Sequence, residues 1–200
     1  MADRDTFGRR LTRFVLGAKG EAEMRERRTS RRTRGSPDRV ILTTEILPIF
    51  AKRGGRILWV GCRRYTDDYP ALLEAHGAEC WTTDIDPEAA PFGRPGRHRT
   101  GDLTQIDAFF SGQRFDTILC NGVIGHGVDA PEAQRGAMQA MAALMNSGGL
   151  LLVGWNTDKM TAADLAAAAS GLFTPTALPA VPAHREVPGT THVYDLFARD

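Results

Sequence analysis

From residue 56 onward, short apolar runs rich in branched side chains alternate with stretches of helical periodicity. The runs predict strands at 56–60, 79–84, 98–101, 115–120, 150–155, 184–187 and 192–198. The stretches between them predict helices at about 70–76, 132–145 and 162–171. This alternation is typical of a mostly parallel sheet covered on both faces, that is, a doubly wound α/β fold. The turn signal Pro188-Gly189 predicts that the last two strands form an antiparallel hairpin.

The first 40 residues differ in charge from the rest of the chain. They hold 12 Lys and Arg against 6 Asp and Glu, whereas the remainder holds 13 against 18. Short helices are predicted around 6–16 and 21–28, and a further helix begins at Ser36-Pro37-Asp38, which offers a cap, a first-turn proline and an acid at the positive end of the helix dipole. We therefore expect a helical cap or lid over residues 1–50 and a sheet domain over 51–200.

Cysteine usage and hydropathy exclude several classes of protein. Cys62, Cys80 and Cys120 lie singly, in or beside apolar runs, which argues against a disulfide framework and against a zinc site. No window approaches the roughly 18 consecutive apolar residues of a membrane span, and the N-terminus lacks the apolar region of a secretory signal. We expect a cytoplasmic protein without membrane association or metal, in which the cysteines serve packing.

Glycines and polar residues follow the predicted parallel strands, at the edge where doubly wound sheets bind ligands. Gly61 follows the first strand and would let the backbone approach a ligand closely. Asp84 ends the second strand and is spaced to accept the hydroxyl protons of a ribose. Asp102 follows the third strand, near where an adenine amino group would lie. Asn121 and His126 follow the fourth strand, among three glycines.

These residues resemble the pattern of class I S-adenosylmethionine-dependent methyltransferases. The segments that carry the resemblance are Gly61, Asp84, Asp102, Phe115-Asp116-Thr117-Ile118 and Gly148-Gly149-Leu150-Leu151-Leu152-Val153. The resemblance covers residues 56–200 and implies a Rossmann-like sheet of seven strands that ends in an antiparallel hairpin. It also implies S-adenosylmethionine as cofactor. The cofactor-binding residues that we expect are Gly61, Arg63, Asp84, Ile85, Asp102, Asn121 and Gly122.

The first loop departs from that family's pattern. Where further glycines or small residues are usual, this sequence reads Cys62-Arg63-Arg64-Tyr65-Thr66-Asp67-Asp68-Tyr69. In one interpretation, Arg63 or Arg64 pairs with the methionine carboxylate of the cofactor. Tyr65 or Tyr69 would then lay a ring against the sulfonium. In the other, the arginines face solvent and the tyrosines pack a helix. The missing glycines also argue against NAD, whose pyrophosphate needs a glycine-rich turn.

The candidate catalytic residues are Asn121, His126, Tyr65 and Tyr69. Asn121 could orient an amine or an amide by hydrogen bonds, and His126 could act as a general base near neutral pH. A packing or capping role is the alternative for His126. Trp155-Asn156 repeats the combination of an aromatic ring and an amide at the end of the fifth strand, where Trp155 suits the core or a pocket wall.

Three functions stay open at this point. The first is methyl transfer to a small-molecule acceptor under the lid, because short connections between the sheet segments leave little surface for a larger acceptor. The second is cyclisation of S-adenosylmethionine itself, in which the α-amino group attacks the γ-carbon and yields methylthioadenosine and azetidine-2-carboxylate. The third is a non-catalytic or nucleic-acid-binding protein with a basic head, which the acidic remainder of the chain disfavours. We expect a small-molecule partner, and self-association stays open.

Overall fold

The computed structural model describes residues 20–200, and its centre is one mixed sheet of eight strands. The strands are β1 (Arg56–Val60), β2 (Glu79–Asp84), β3 (His98–Thr100), β4 (Phe115–Asn121), β5 (Met145–Asn156), β6 (Phe173–Pro175), β7 (His184–Glu186) and β8 (His192–Arg199). Their order is β3-β2-β1-β4-β5-β8-β6, and β7 also pairs with β8. β1 to β5 run parallel, whereas β8 is antiparallel to β5, β6 and β7. The predicted Rossmann-like α/β class is confirmed, and so is the antiparallel hairpin of β7 and β8.

The helices cover both faces of this sheet. The described part of α1 is 20–34, and α2 consists of Pro37–Ile41, a π-helical turn at Leu42–Ile46, and Leu47–Arg53. The later helices are α3 (Tyr69–Glu74), α4 (Ile106–Phe109), α5 (Pro131–Leu144) and α6 (Ala162–Ala169). The helix predicted around 6–16 lies outside the described residues, whereas the one predicted around 21–28 is part of α1. In the part of the chain from residue 20 onward, no helix has the length and apolar character needed to cross a bilayer.

The helix α2 packs directly onto the sheet. Its residues Leu42, Ile46, Leu47 and Phe50 are fully buried, in one cluster with Trp59 of β1. Burial of such side chains contributes roughly 1.5–3 kcal/mol each. The boundary that we expected after residue 50 falls inside this helix.

Two details of the sheet differ from the sequence expectation. β5 begins at Met145 instead of residue 150, because Met145 pairs with Phe115 across a register shift in the ladder. β6 was not predicted at all, since it has three residues and ends at Pro175. Both differences arise from pairing with a distant strand, which local apolar periodicity does not report.

Candidate active site

A cavity lies at the carboxyl ends of β1, β2 and β4, the edge at which doubly wound sheets bind ligands. All of the predicted site residues except Tyr69 line it, namely Gly61, Arg63, Tyr65, Asp84, Ile85, Asp102, Asn121, Gly122 and His126. The sheet therefore brings together residues that are more than 60 positions apart in the sequence.

Asp84 is the most constrained acid of the cavity, with a side chain only 3% exposed. Its Oδ2 accepts the Cys62 N–H at 2.7 Å and its Oδ1 accepts the Asp86 N–H at 2.8 Å. Arg63 Nη1 also donates to Oδ2, at 2.6 Å. These three hydrogen bonds occupy most of the roughly four lone-pair sites of the carboxylate.

An exposed apolar side chain and a second acid also line the cavity. Ile85 is 65% exposed, an unusual state for a large apolar side chain, and it borders the cavity directly after Asp84. Asp102 caps the turn Leu103–Gln105, because its Oδ1 accepts both the N–H and the hydroxyl of Thr104. The cavity thus offers both an apolar surface and a carboxylate that is held in place.

Two glycines keep the cavity open toward β4. Gly61 has φ +93°, and a Cβ there would lie 3.1 Å from Val123 Cγ2 and 3.4 Å from the Asn121 carbonyl oxygen. Gly122 has φ +68°, a region that side-chain-bearing residues rarely adopt. The turns after β1 and β4 can therefore approach each other and a ligand closely.

A chain of imidazoles and amides connects the ends of β4, β5 and β8, and two of its members, Asn121 and His126, line the cavity. His126 Nε2 lies 3.1 Å from Asn156 Oδ1, and His192 Nδ1 lies 3.2 Å from the same oxygen. His192 Nε2 in turn lies 2.9 Å from Asn121 Oδ1. Asn156 Nδ2 donates to Thr191 Oγ1 at 2.9 Å, which fixes the orientation of that amide.

Burial determines the protonation of this chain. Burial lowers the pKa of His192 to about 4, with a further contribution from the positive charge of Arg39, so its ring is neutral at physiological pH. A neutral ring has one N–H and can donate to only one of the two amide oxygens. Asn121 Nδ2 has no hydrogen-bond partner, so exchanging the oxygen and nitrogen of that amide breaks no hydrogen bond. Asn121 then donates to His192 Nε2, and His192 donates to Asn156.

His126 is thereby held in one tautomer. Its Nε2 contacts the amide oxygen of Asn156, which accepts only, so Nε2 carries the proton in the neutral ring. Nδ1 is then the basic nitrogen. Since His126 is exposed and borders the cavity, this nitrogen is available to take a proton from a ligand.

The first loop divides the predicted residues into two groups. Arg63 and Tyr65 border the cavity. Arg64 instead pairs with Glu26 of α1 at 3.2 Å and lies over the Phe92 ring.

Tyr69 belongs to the core, not to the cavity. It is 1% exposed and packs edge-to-face on Trp59 with 4.9 Å between ring centroids. Burial raises the pKa of its hydroxyl to about 12. The expected site role of Tyr69 is therefore corrected to helix packing, because its position at the start of α3 turns the ring toward the sheet.

Sequence reasoning missed Arg39 and His192. Arg39 lies in the first turn of α2 with its guanidinium 5.4 Å from the Tyr65 ring centroid, and it is only 7% exposed. His192 begins β8, whose pairing with β5 places it beside Asn156. The sequence offers no local signal for either residue, since Arg39 is one of several charged residues in α2 and His192 depends on pairing with a distant strand.

The sheet order, the acids after β2 and β3, and the polar wall after β4 and β5 define an α/β enzyme that binds a nucleoside-containing cofactor. Residues 32–180 match the methyltransferase-domain family, and the chain belongs to this family. S-adenosylmethionine is accordingly its cofactor.

Solved structures agree with this fold. The chain is similar to the N-methyltransferase NodS from Bradyrhizobium japonicum in complex with S-adenosylhomocysteine, at 17% identity and a TM-score of 0.64 over 84% of this chain and 90% of that one. It is also similar to a TehB-like methyltransferase from Corynebacterium glutamicum, at 18% identity and a TM-score of 0.61 over 89% and 100%. The sugar N-methyltransferase KedS8 from Streptoalloteichus aligns at 14% identity and a TM-score of 0.60 over 78% and 87%. No curated protein matches the sequence.

Proposed function

We propose that this methyltransferase methylates a nitrogen or oxygen of a small-molecule acceptor, with His126 as the general base. The observation that carries the proposal is a single cavity that is lined by Asp84, Ile85 and Asp102 and also by His126. The likeness to KedS8, a sugar N-methyltransferase, supports a small acceptor, and the likeness to the N-methyltransferase NodS supports a nitrogen nucleophile.

Different residues of the cavity would bind different parts of the cofactor. Asp84 would accept ribose hydroxyls once the Arg63 side chain, which is 48% exposed, turns away from it. Ile85 and Asp102 would hold the adenine. Arg63, released from Asp84, would pair with the methionine carboxylate. When bound, S-adenosylmethionine supplies a methyl group on a sulfonium that is already activated for displacement.

The acceptor must be positioned in the cavity, and its nucleophilic nitrogen or oxygen must lose a proton. Asn121 and Gly122 shape the wall beside the cavity's centre, and His126 Nδ1 takes the proton that the acceptor nitrogen or oxygen loses as it is methylated. Asn156 keeps His126 in the tautomer that this step requires, because its oxygen accepts the Nε2 proton. We further propose that α1 closes over the cavity, since Arg34 pairs with Asp67 and Asp68 of the first loop.

The test is to incubate the protein with S-adenosylmethionine and a panel of small amines, alcohols and acids, and to assay nucleoside products by mass spectrometry. We expect S-adenosylhomocysteine only when a suitable acceptor is present. Methylthioadenosine formed without any acceptor would overturn methyl transfer and favour the intramolecular cyclisation.

A matched pair of histidine variants tests the general base. His126→Gln should lower kcat about 10²- to 10⁴-fold and leave the affinity for S-adenosylhomocysteine within about twofold. His184→Gln should leave both unchanged, because His184 is 46% exposed and pairs with Asp195 away from the cavity. An equal loss of kcat in both variants, or no loss of kcat in His126→Gln, contradicts the assignment of His126 as the general base.

A further inference from the structure

Arg39 is a buried cation that hydrogen-bonds the Tyr194 side chain, and the described residues leave the rest of its hydrogen-bonding capacity unused. Its residue is 7% exposed, and neither Nε nor Nη1 has a hydrogen-bond partner. Asp38 lies 3.4 Å from Nε without hydrogen-bond geometry, so the ion pair is an imperfect one. Buried guanidinium groups are normally hydrogen-bonded, because leaving such donors unmet is costly. This arrangement indicates that a ligand completes the site.

The guanidinium does not itself line the cavity, but it lies next to two residues that do, Gly122 and Tyr65. A Cβ added to Gly122 would lie 3.5 Å from Arg39 Nη2, and the Tyr65 ring is 5.4 Å from Arg39 Cζ. Gly122 follows β4, and Tyr194, whose hydroxyl donates to the Asp38 carbonyl oxygen at 2.9 Å, belongs to β8. In the sheet, β4 and β8 lie on the other side of β1 from β2 and β3, the strands that carry the two cofactor acids.

The neighbours of Arg39 define the charge that fits there. Asp38 is the acid that acts on the Arg39 guanidinium, and the other close groups are the rings of Tyr65, Tyr69 and Tyr194. The Tyr194 hydroxyl adds no charge at neutral pH, since burial and the nearby Asp38 raise its pKa. One guanidinium partly offset by one carboxylate suits a single monoanionic group better than a phosphate dianion.

We infer that Arg39 binds a carboxylate of the methyl acceptor, which makes the substrate a small acid that carries its nucleophilic nitrogen or oxygen near that carboxylate. The inference rests on the proposed function, because it identifies the substrate class of the same cavity. In this arrangement Arg63 binds the carboxylate of the cofactor, and Arg39 binds the carboxylate of the acceptor.

The first experiment observes Arg39 directly. The Nε–H resonance of Arg39, assigned by its loss in Arg39→Lys, is followed by NMR in protein saturated with S-adenosylhomocysteine while propionate is added at constant ionic strength. Propionamide is the neutral control of the same shape, and chloride controls for any anion. We expect a saturable shift with propionate alone. Equal shifts with chloride, or none with propionate, overturn the inference.

The second experiment distinguishes the two possible sources of the carboxylate. Calorimetry of S-adenosylhomocysteine binding to Arg39→Gln should give an affinity within about twofold of the unmodified protein, whereas the propionate response should be lost. Arg64→Gln is the matched control, because Arg64 pairs with Glu26 of α1, whereas Arg39 lies against the cavity-lining residues Gly122 and Tyr65. A tenfold or greater loss of S-adenosylhomocysteine affinity in Arg39→Gln assigns Arg39 to the cofactor and overturns the inference.

These outcomes separate the inference from the proposed function. If S-adenosylhomocysteine does not bind the unmodified protein, methyl transfer fails, and the propionate titration of the cofactor-free protein still reports on Arg39. If S-adenosylhomocysteine binds and propionate leaves Arg39 unchanged, only the inference fails. In the acceptor panel, amino acids should exceed their primary amides as substrates by at least tenfold, and this ratio should fall toward one in Arg39→Gln.

Discussion

Arg63 Nη1 lies 2.6 Å from Asp84 Oδ2, so this arginine occupies the acid that we propose for the cofactor's ribose. The two partners are unequal, since the Asp84 side chain is 3% exposed and the Arg63 side chain 48%. Asp84 is fixed by the Cys62 and Asp86 amides, and Arg63 is the partner that must move. Cofactor binding therefore competes with this ion pair.

This competition predicts opposite responses to two ligands. Arg63→Gln should bind adenosine about two- to fivefold more tightly, because a half-exposed ion pair contributes at most about 1 kcal/mol. The same variant should bind S-adenosylhomocysteine more weakly, because the proposed partner of its carboxylate is gone. Calorimetry with both ligands measures the difference, and Asp84→Asn, which should weaken both, is the control. Weaker adenosine binding in Arg63→Gln would contradict the competition.

The depressed pKa of His192 predicts an acid-sensitive fold. The ring is neutral in the folded protein down to about pH 4, whereas the unfolded chain protonates it near pH 6.5. The unfolded state thus binds more protons as the pH falls through this window, and folding loses up to about 3 kcal/mol between pH 6.5 and pH 4. Above pH 7 the ring is neutral in both states and contributes no pH dependence.

Urea titrations at pH 7 and pH 4.5 check this expectation. His192→Gln should lose less unfolding free energy between the two pH values than the unmodified protein does, which separates His192 from the carboxylates that also titrate there. Parallel losses in both proteins would show that His192 is protonated in the folded state.

Two buried tyrosines should respond differently to loss of the hydroxyl. Tyr69 Oη has no hydrogen-bond partner, so Tyr69→Phe should raise the unfolding free energy by about 1 kcal/mol or leave it unchanged. Tyr194→Phe should lower it by about 1 kcal/mol, because that hydroxyl donates to the Asp38 carbonyl oxygen. Tyr69→Phe should also retain S-adenosylhomocysteine binding. Chemical denaturation of both variants gives the comparison, and a destabilised Tyr69→Phe would indicate a partner for its hydroxyl.

The cysteines should be inert in the folded protein. Cys62, Cys80 and Cys120 are all buried, and burial raises the pKa of each thiol to about 12. Since the thiolate is the reactive species, iodoacetamide at pH 8 should modify none of them before unfolding and all three in denaturant, as counted by mass spectrometry. Rapid modification of one thiol in the folded protein would give that residue a role beyond packing.

The residues that could be predicted from the sequence are those placed by a single parallel strand. Gly61, Asp84 and Asp102 each follow their own strand, and parallel pairing brings the strand ends to one edge whatever the rest of the chain does. Arg39 and His192 depend instead on the docking of α2 and on the antiparallel pairing of β8 with β5. Such contacts between distant elements leave no local periodicity. The opposite error was made for Tyr69. It is close in sequence to residues of the site, but its helix directs the ring into the core.

The position of Arg39 depends on the π-helical turn in α2. Such a turn accommodates one residue more than an α-helical turn, so the helix before it is rotated by about 100° relative to the helix after it. Removing one residue from Leu42–Ile46 would restore a regular helix, leave Leu47 and Phe50 in the core and swing Arg39 away from Gly122. The presence of a buried positive charge behind Gly122 therefore depends on one residue of helix length.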